Sequence, residues 1–409
     1  MNNNRLAEYA DLIVKTGVNI QKGQLTIISC PIECADFARL LAEKAYDTGA
    51  GEVIVNWLDD RIDRLKYIRG ADEIFDNFPE WRKSYFQYQA YKKAAKISVY
   101  AEDPEKLVGV DPDRIKRWSV SSGNALKFYS DSQMANEFVW CVVSMPTAAW
   151  AKKVFPSLDS EKAVDALWDE IYKAVRVNGD GKSVEKWQEH INLMNSRRNR
   201  LNDWDFSRLI YKNSLGTNLT VELPLNHSWT AAEEIAKTGV KFIANMPTEE
   251  IFTLPKKDGI NGTVYASKPL ALDGNLIENF SFKIKDGKII ECFAEKGLEH
   301  LKNAVSVDEG ASFFGEVALV PFDSPINNSR VLFYNTLFDE NASCHFAFGG
   351  AYPCFKDADS ISAEEMATRG MNDSITHEDF MIGTADLSVI GVTKDGKSIP
   401  VFTNGNFAF

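Results

Sequence analysis

The sequence predicts an α/β and α+β protein, in which an N-terminal α/β domain with parallel-type β-α-β units precedes a strand-rich C-terminal α+β domain. Three observations predict it. First, the chain has 409 residues, which is more than one ordinary hydrophobic core accommodates. Second, strand and helix patterns alternate in its first part. Third, strand patterns dominate from about Arg208 onward. A polar, glycine-bearing segment at residues 178–181 marks the boundary, so we predict domains at 1–180 and 181–409.

The parallel sheet of the first domain is predicted by a succession of strand, helix and strand patterns. Residues 25–29 form a short apolar run, residues 33–46 carry apolar side chains at helical spacing, and residues 53–57 form the next apolar run. Strands that are joined by a helix pair in parallel. Residues 96–100 and 138–143 predict two further strands.

The predicted boundary lies between two helical stretches, one at the end of the first domain and one at the start of the second. Residues 157–202 show helical periodicity on either side of the 178–181 segment. Residues 285–288, Lys-Asp-Gly-Lys, predict a tight hairpin turn, because Asp-Gly supplies the positive φ angles that such turns need. The other predicted elements are a helix at residues 297–305 and strands at residues 209–211, 218–223, 262–266, 289–293 and 331–334.

Charge and composition argue against several classes of protein. A net charge of −12 disfavours a nucleic-acid partner, which needs a basic surface. No apolar run approaches the roughly 18 residues of a membrane helix, and residues 1–8 lack the apolar core of a signal peptide, so we expect a cytoplasmic protein with no membrane partner. Its six cysteines are then expected to be reduced. The sequence has no Cys-x-x-Cys pair, which disfavours a structural zinc knuckle.

Histidine and carboxylate side chains recur at short spacing in the last hundred residues. His377 and Asp379 lie two apart in a strand pattern, and alternate side chains of a strand share a face. Glu340 and His345 lie five apart at the rim of a loop, where binding sites are commonly built. Each pair by itself is also compatible with a core histidine that a neighbouring acid orients, or with a buried histidine and an unrelated surface acid.

Two further acids lie in apolar surroundings. Glu316 lies within the run Phe-Phe-Gly-Glu-Val-Ala-Leu-Val, and Glu249 and Glu250 precede Ile-Phe-Thr-Leu. Burial of an unpaired carboxylate costs several kcal/mol, so such an acid needs a metal ion, a lysine or an arginine as its partner. Adjacent acids on an extended segment face opposite ways, so one of Glu249 and Glu250 can bind metal while the other has a different role.

Together these residues predict a two-metal site. Histidine with carboxylate is a ligand set for zinc, cobalt, manganese and sometimes magnesium. Two divalent ions balance four carboxylates, and two ions about 3.5–4 Å apart can activate a water molecule and hold the carbonyl that it attacks. Without metal, clustered carboxylates repel one another and take up protons. The predicted ligands are Glu250, Glu316, Glu340, His345, His377 and Asp379.

The same segments resemble the signature blocks of the aminopeptidase T / aminopeptidase S family, the thermophilic-type metallo-aminopeptidases. The blocks are Asn-Met-Pro-Thr-Glu-Glu-Ile-Phe-Thr at 245–253, Gly-Glu-Val-Ala at 315–318, Glu-Asn-Ala-Ser-Cys-His-Phe-Ala-Phe-Gly at 340–349 and His-Glu-Asp-Phe-Met-Ile-Gly at 377–383. The resemblance covers nearly the whole chain. It implies that the six predicted ligands hold two divalent metal ions per subunit, that the protein removes N-terminal residues from peptides with a free N-terminus, and that it forms homodimers.

Glu378 departs from the resemblance, which predicts a small or apolar residue at this position. On a strand it faces away from His377 and Asp379, where it would not disturb their metal.

Two residues outside the ligand set are candidates for catalysis. Glu249, next to a ligand, is the candidate general base, with a structural salt bridge as the alternative. Tyr352, on a glycine-rich loop, is the candidate hydrogen-bond donor to the tetrahedral oxyanion, with aromatic packing as the alternative. The histidines expected to be packing or solvated residues are His190, His227 and His300.

Other functions also suit these residues. A non-catalytic metal-binding or assembly protein would use the same ligands, and another two-metal amidase would act on a non-peptide amide. A nucleotide-binding protein or an oxidoreductase is disfavoured, because the sequence has neither Gly-x-Gly-x-x-Gly after the first strand nor Gly-x-x-x-x-Gly-Lys-Ser/Thr.

Overall fold

A computed structural model describes residues 3–272 and 274–409. None of the described helices is long and apolar enough to cross a membrane. The helices are α1 (Asn3–Leu12), α2 (Ala35–Thr48), α3 (Asp60–Arg69), α4 (Glu80–Lys92), α5 (Pro112–Met134), α6 (Ala148–Val154), α7 (Ser160–Ala174), α8 (Ser183–Trp204), α9 (Leu298–Ala304), α10 (Pro325–Asn328), α11 (Thr336–Asp339) and α12 (Ala363–Thr368).

The strands are concentrated in the second half of the chain. They are β1 (Leu25–Pro31), β2 (Glu52–Leu58), β3 (Ala95–Val99), β4 (Trp140–Val143), β5 (Phe206–Lys212), β6 (Asn218–Glu222), β7 (Glu233–Ile235), β8 (Lys241–Ile243), β9 (Ile251–Thr253), β10 (Ile260–Tyr265), β11 (Leu270–Leu272), β12 (Asn275–Lys285), β13 (Lys288–Lys296), β14 (Phe314–Leu319), β15 (His345–Gly349), β16 (His377–Met381), β17 (Ser388–Thr393), β18 (Ser398–Thr403) and β19 (Asn406–Phe407).

Strands β1 to β4 form a parallel sheet in the order β2-β1-β3-β4. The apolar runs of β1 and β2 pair in register, with Ile27 opposite Ile54. Helix α2 connects these two strands and buries Phe37 and Leu41. It ends at Gly49, whose φ of 111° is a left-handed conformation that favours glycine. The predicted parallel β-α-β unit is therefore confirmed, and with it the fold class.

In the described residues, the strand-rich part contains two large antiparallel sheets and one two-stranded antiparallel sheet, β7-β8. The larger has the order β11-β12-β10-β6-β5-β17-β18-β19, with β13 paired to β12. The turn between β12 and β13 is the predicted Lys-Asp-Gly-Lys hairpin, in which Asp286 and Gly287 both have positive φ, 48° and 78°. The smaller sheet has the order β16-β15-β14-β9.

One face of the smaller sheet is an aromatic layer. Its phenylalanines pack against rings of β12 in the larger sheet, with ring centroids 5.2–6.3 Å apart. Each such ring contributes a large buried apolar area, so this layer fixes the strands on which it lies. The rings of the layer belong to Phe280, Phe282, Phe314, Phe346, Phe348 and Phe380.

A β-bulge at Gly315 changes the phase of β14. Phe314 lies opposite Phe348, but Glu316 lies opposite Ala347, so one step on β15 corresponds to two steps on β14. Phe314 consequently joins the aromatic face, whereas Glu316 points to the opposite face. Only glycine fits at the bulge, because an added Cβ would lie 2.3 Å from a neighbouring carbonyl oxygen.

The described residues divide into two compact units. One gathers the residues up to Asn192 together with Ala232–Thr248 and Ser329–Phe338. The other gathers Leu193–Ala231, Glu249–Asn328 and Asp339–Phe409. The predicted helices on either side of residues 178–181 are α7 and α8, and the segment between them is irregular. A domain boundary at this segment stays a prediction.

The predicted strand at residues 331–334 is wrong. Arg330 and Tyr334 have left-handed φ angles of 58° and 53°, which an extended strand does not allow. Phe333 is buried, and its carbonyl oxygen accepts a hydrogen bond from the indole Nε1 of Trp150 at 2.5 Å instead of a strand neighbour. An apolar run of four residues therefore packs as an irregular segment.

We predict that Gly287→Ala lowers the melting temperature far more than Gly396→Ala does. Both glycines occupy Lys-Asp-Gly-Lys hairpin turns with positive φ, so each alanine incurs about 1–2 kcal/mol of left-handed backbone strain. A Cβ on Gly287 would also lie 1.7 Å from the carbonyl oxygen of Lys257, whereas one on Gly396 meets nothing within 4 Å. Thermal unfolding followed by circular dichroism measures both. Equal losses in melting temperature would show that the protein removes the contact with the Lys257 carbonyl oxygen at no cost in stability.

Candidate metal centre

Neighbouring strands of the smaller sheet carry four of the predicted ligands on one face. Glu316 lies on β14, His345 on β15, and His377 and Asp379 on β16. Glu316 and Asp379 both lie opposite Ala347, one on each side of β15. The alternation along each strand therefore directs all four side chains away from the aromatic layer. Glu378 alternates to the other face.

The other two predicted ligands come from segments that border this sheet. Glu250 directly precedes β9, which pairs with β14. Glu340 begins a short 3-10 turn, Glu340–Ala342, between α11 and β15. Both side chains are buried, although each belongs to a residue type that is seldom buried without a partner.

The carboxylate of Glu316 joins two groups of potential ligands. Its Oε1 lies 3.5 Å from Nε2 of His345, and its Oε2 lies 3.4 Å from Nε2 of His377. The first group is completed by Glu250, whose Oε2 lies 3.1 Å from His345 Nε2. The second is completed by Asp379, whose Oδ1 lies 3.5 Å from His377 Nε2. In each group, one ligand atom from every residue lies within 4.8 Å of the others.

Glu340 lies beside these two groups but belongs to neither. Its carboxylate interacts electrostatically with Asp379 and Glu250. It accepts a hydrogen bond from Nδ2 of Asn341 at 3.2 Å. The structure thus brings five of the six predicted ligands into two groups and leaves Glu340 at their edge.

Backbone carbonyls orient both histidines. Nδ1 of His377 lies 2.7 Å from the carbonyl oxygen of Gly350, and Nδ1 of His345 lies 3.3 Å from that of Ser343. A carbonyl oxygen only accepts hydrogen bonds, so Nδ1 carries the proton in both rings. In the neutral ring Nε2 then presents a lone pair to the carboxylates, which is the arrangement of histidines that bind metal.

The acids that border the cluster resist ionisation. Burial raises the pKa of Glu340 well above its usual value, and repulsion from Asp379 and Glu250 raises it further. Burial likewise raises the pKa of Glu250, although His345 partly opposes this effect. Both acids therefore tend to hold a proton in the metal-free protein.

The shared carboxylate and the histidines titrate in the opposite sense. Burial favours neutral Glu316, but its contacts with His345 and His377 outweigh burial and lower its pKa to about 2. Burial also opposes a charge on each histidine, yet the neighbouring carboxylates outweigh it and raise both pKa values well above the usual range. Protonated histidines thus supply the positive charge that the carboxylates require.

The cluster fits divalent metal ions. Nε2 of His345 and Oδ1 of Asp379 are buried and form no hydrogen bond of normal geometry in the described part of the chain. In the same part, no lysine or arginine forms an ion pair with the four carboxylates. The nitrogen and oxygen donors suit the borderline metals that bind histidine and carboxylate.

The two candidate catalytic residues lie in different surroundings. Glu249 is buried, and although burial lowers the pKa of the Arg197 guanidinium, the interaction with Glu249 partly opposes this effect, so the salt-bridge alternative keeps its support. The ring of Tyr352 packs edge-on against Phe252 at 5.4 Å and against His377 at 5.5 Å. Aromatic packing therefore contributes to the position of Tyr352, whose ring borders one of the predicted ligands.

His190 is not the solvated histidine that its helix pattern predicts. It is buried, its Nε2 lies 2.8 Å from the carbonyl oxygen of Thr248, and its Nδ1 lies 3.1 Å from a guanidinium nitrogen of Arg176. His227 is a buried packing histidine, which is one of the alternatives expected for it. Burial lowers its pKa to about 4, and Nδ1 contacts the carbonyl oxygen of Pro224 at 3.0 Å.

Sequence reasoning missed two residues that shape this centre. Asn341 bonds both to the peptide of Glu249 and to Glu340, and Gly315 makes the bulge that turns Glu316 towards the histidines. A weak signal for each exists in the sequence. Asn341 is a polar residue that directly follows the acid Glu340, and Gly315 interrupts an apolar strand pattern directly before the acid Glu316.

Comparison with known proteins assigns the chain to a family. A family model described as thermophilic metalloprotease (M29) matches residues 2–407. The chain belongs to this family. Aminopeptidase AmpS of Bacillus subtilis (strain 168) is 45% identical over 406 residues, which cover 99% of this chain and 98% of that protein. Aminopeptidase T of Thermus aquaticus is 38% identical and covers 98% of each chain.

A solved structure of the same family has the same fold. Wild-type AmpT from Thermus thermophilus superposes with a TM-score of 0.91 at 35% identity, over 100% of both chains. The resemblance to aminopeptidases T and S is therefore confirmed for this M29 metalloprotease, as is the combination of a parallel sheet with antiparallel sheets.

Glu340→Gln tests the burial of this carboxylate in metal-free protein. Because the pKa of Glu340 is raised in the folded chain, the folded chain keeps a proton that the unfolded chain releases. The contribution of Glu340 to the free energy of unfolding therefore decreases as pH rises through and above the ordinary carboxyl range. The glutamine side chain does not titrate. With a chelator present, we expect the melting temperature of the variant to exceed that of wild type, and by more at pH 8 than at pH 5.

Glu299→Gln is the matched control, because Glu299 is an exposed acid on α9 that forms an ion pair with Lys302. Its effect on the melting temperature should be small and similar at both pH values. A Glu340→Gln effect that is equally independent of pH would contradict the raised pKa.

Proposed function

We propose that this M29 metallo-aminopeptidase cleaves the N-terminal peptide bond of peptides at a pair of divalent metal ions. Glu250, Glu316, Glu340, His345, His377 and Asp379 would hold the pair. The observation that carries the proposal is the position of Glu316, which presents one carboxylate oxygen to each of two histidines and so joins two potential ligand groups. A carboxylate with one oxygen in each ligand group could serve two ions at once, and two ions about 3.5–4 Å apart can act together on one substrate.

The charge of the centre supports two ions rather than one. Glu250, Glu316 and Glu340 are buried and Asp379 is half-buried, and among the described residues none of these carboxylates forms an ion pair with a lysine or arginine. Once deprotonated, they carry four negative charges, which two divalent ions would neutralise. When bound, such ions lower the pKa of water and polarise the scissile carbonyl group. Zinc, cobalt, manganese and magnesium all suit this donor set, and availability selects among them.

The chain itself supplies the remaining chemistry. Glu249, next to a ligand but facing differently, is the proposed general base that takes a proton from the attacking water. Its carboxylate is buried, so it is sheltered from bulk solvent. Tyr352, beside His377, is the proposed hydrogen-bond donor to the tetrahedral oxyanion. Homodimeric assembly and substrates with a free N-terminus are part of the same proposal.

Removal of the shared ligand should empty the centre. We expect Glu316→Gln to lower the metal content from about two ions per chain to less than one. Hydrolysis of leucyl and arginyl p-nitroanilides should fall by more than the roughly 10- to 100-fold that is typical of changes in outer-shell residues. Plasma emission spectrometry and a chromogenic assay measure these two quantities. Glu291→Gln, at an exposed ion pair on β13, is the matched control and should keep both.

Chelation and return of metal to wild-type protein test the function itself. Activity should disappear with a chelator and return with zinc, cobalt or manganese. An N-acetylated leucyl p-nitroanilide should not be cleaved, because an aminopeptidase requires a free amine. Cleavage of both substrates alike would instead support a general two-metal amidase. Tight metal binding without hydrolysis of either would support a non-catalytic metal protein.

Glu249→Gln tests the proposed general base. Loss of a base that accepts a proton in the transition state should lower kcat by about 100-fold or more, with the metal content unchanged. Glu378→Gln is the matched control, since Glu378 also neighbours predicted ligands but lies on the opposite face of β16. We expect it to keep wild-type turnover. A Glu249→Gln enzyme with near-normal kcat would leave Glu249 as a salt-bridge residue.

A further inference from the structure

One buried amide connects the proposed base to a proposed ligand. The side chain of Asn341 is fully buried. Its Oδ1 accepts a hydrogen bond from the backbone N–H of Glu249 at 2.7 Å, and its Nδ2 donates to Oε1 of Glu340 at 3.2 Å. Asn341 lies 92 residues after Glu249 in the sequence and directly follows Glu340.

Chemistry fixes the orientation of this amide. A backbone N–H only donates, so the atom of Asn341 that faces Glu249 must be the oxygen. The NH₂ group is then directed to the carboxylate of Glu340, which accepts whether or not it carries a proton. Reversal of the amide would place a donor against a donor, so both contacts depend on one rotamer.

We infer that Asn341 is a positioning residue that holds Glu249 and Glu340 in one geometry. The inference rests on the proposed function of the centre. The bond to the peptide of Glu249 restrains the backbone at the proposed base and, one residue later, at the ligand Glu250. The bond to Glu340 restrains the acid that lies at the edge of the two ligand groups. Loss of the amide should therefore affect both metal binding and turnover.

A neighbouring hydrogen bond supports the turn in which Asn341 lies. This turn is Glu340–Ala342, and the carbonyl oxygen of Ala342 accepts a hydrogen bond from the buried hydroxyl of Ser324 at 3.1 Å. Ser324 therefore supports the same turn without contacting either Glu249 or Glu340 in the described contacts. It provides a matched site at which the turn can be weakened without loss of the amide.

Two substitutions separate the two bonds of Asn341. Asn341→Leu has a similar volume and removes both. Asn341→Asp keeps an oxygen acceptor for the Glu249 N–H and removes the donor to Glu340. We expect Asn341→Leu to weaken Co²⁺ binding by about 10- to 100-fold, the usual effect of losing a partner of a ligand. At saturating Co²⁺ its kcat should still be reduced, by up to about 100-fold, because Glu249 is displaced.

At saturating Co²⁺, Asn341→Asp should recover most of the kcat that Asn341→Leu loses, because it keeps the bond to Glu249. Ser324→Ala should lower the melting temperature and leave Co²⁺ affinity and kcat unchanged. Competition with a chromogenic chelator measures Co²⁺ affinity independently of activity.

Three outcomes would overturn the role of Asn341. These are wild-type affinity and kcat in Asn341→Leu, an Asn341→Asp enzyme no better than Asn341→Leu, and a Ser324→Ala enzyme with the same losses as Asn341→Leu. Failure of the wild-type protein to bind Co²⁺ would be a different result, because it would overturn the proposed metal centre and with it this inference.

Discussion

The clustering of four carboxylates, three of them on buried residues, beside two histidines is the constraint on which the rest of this molecule depends. Each carboxylate loses most of its hydration, and in a medium of low polarity like charges repel strongly. The metal-free chain meets this constraint with bound protons, because burial raises the pKa of Glu340 and the neighbouring carboxylates outweigh burial and raise the pKa of both histidines. A divalent metal ion would compensate the negative charge with twice the positive charge of a proton, and the histidine lone pairs would bind the ion instead of a proton. The same repulsion that weakens the empty centre therefore favours metal binding.

The sheet that carries the centre has two faces with opposite chemistry. Phenylalanines fill one face and pack against the larger sheet, so apolar contacts on this face fix the position of strands β14, β15 and β16. Four of the predicted ligands occupy the other face. A strand with strict alternation would place Phe314 and Glu316 on the same side, and the bulge at Gly315 separates them. The bulge at this glycine thus allows one strand to place an aromatic ring on the packed face and a carboxylate on the opposite face.

Local patterns of the sequence predict much of this arrangement. The β-α-β succession predicts the parallel sheet, Asp-Gly predicts the β12–β13 hairpin, and the two-residue spacing of His377 and Asp379 predicts their common face. These features depend on periodicity and turn chemistry, which act over a few residues.

What the sequence does not predict depends on contacts between distant segments. The apolar run at residues 331–334 resembles a strand, yet its backbone bonds to a tryptophan and not to a neighbouring strand. His190 lies on a polar helix, but it contacts the carbonyl oxygen of Thr248. The bulge at Gly315 and the bond from Asn341 to the peptide of Glu249 likewise need the tertiary structure. Residue spacing alone contains no information on such contacts.

The most direct test of the metal pair is anomalous diffraction from crystals of the protein grown with zinc or cobalt. We expect two anomalous peaks, one on each side of the Glu316 carboxylate, the first next to His345 and Glu250 and the second next to His377 and Asp379. A single peak, or peaks remote from Glu316, would contradict the proposal that this carboxylate joins two metal ions.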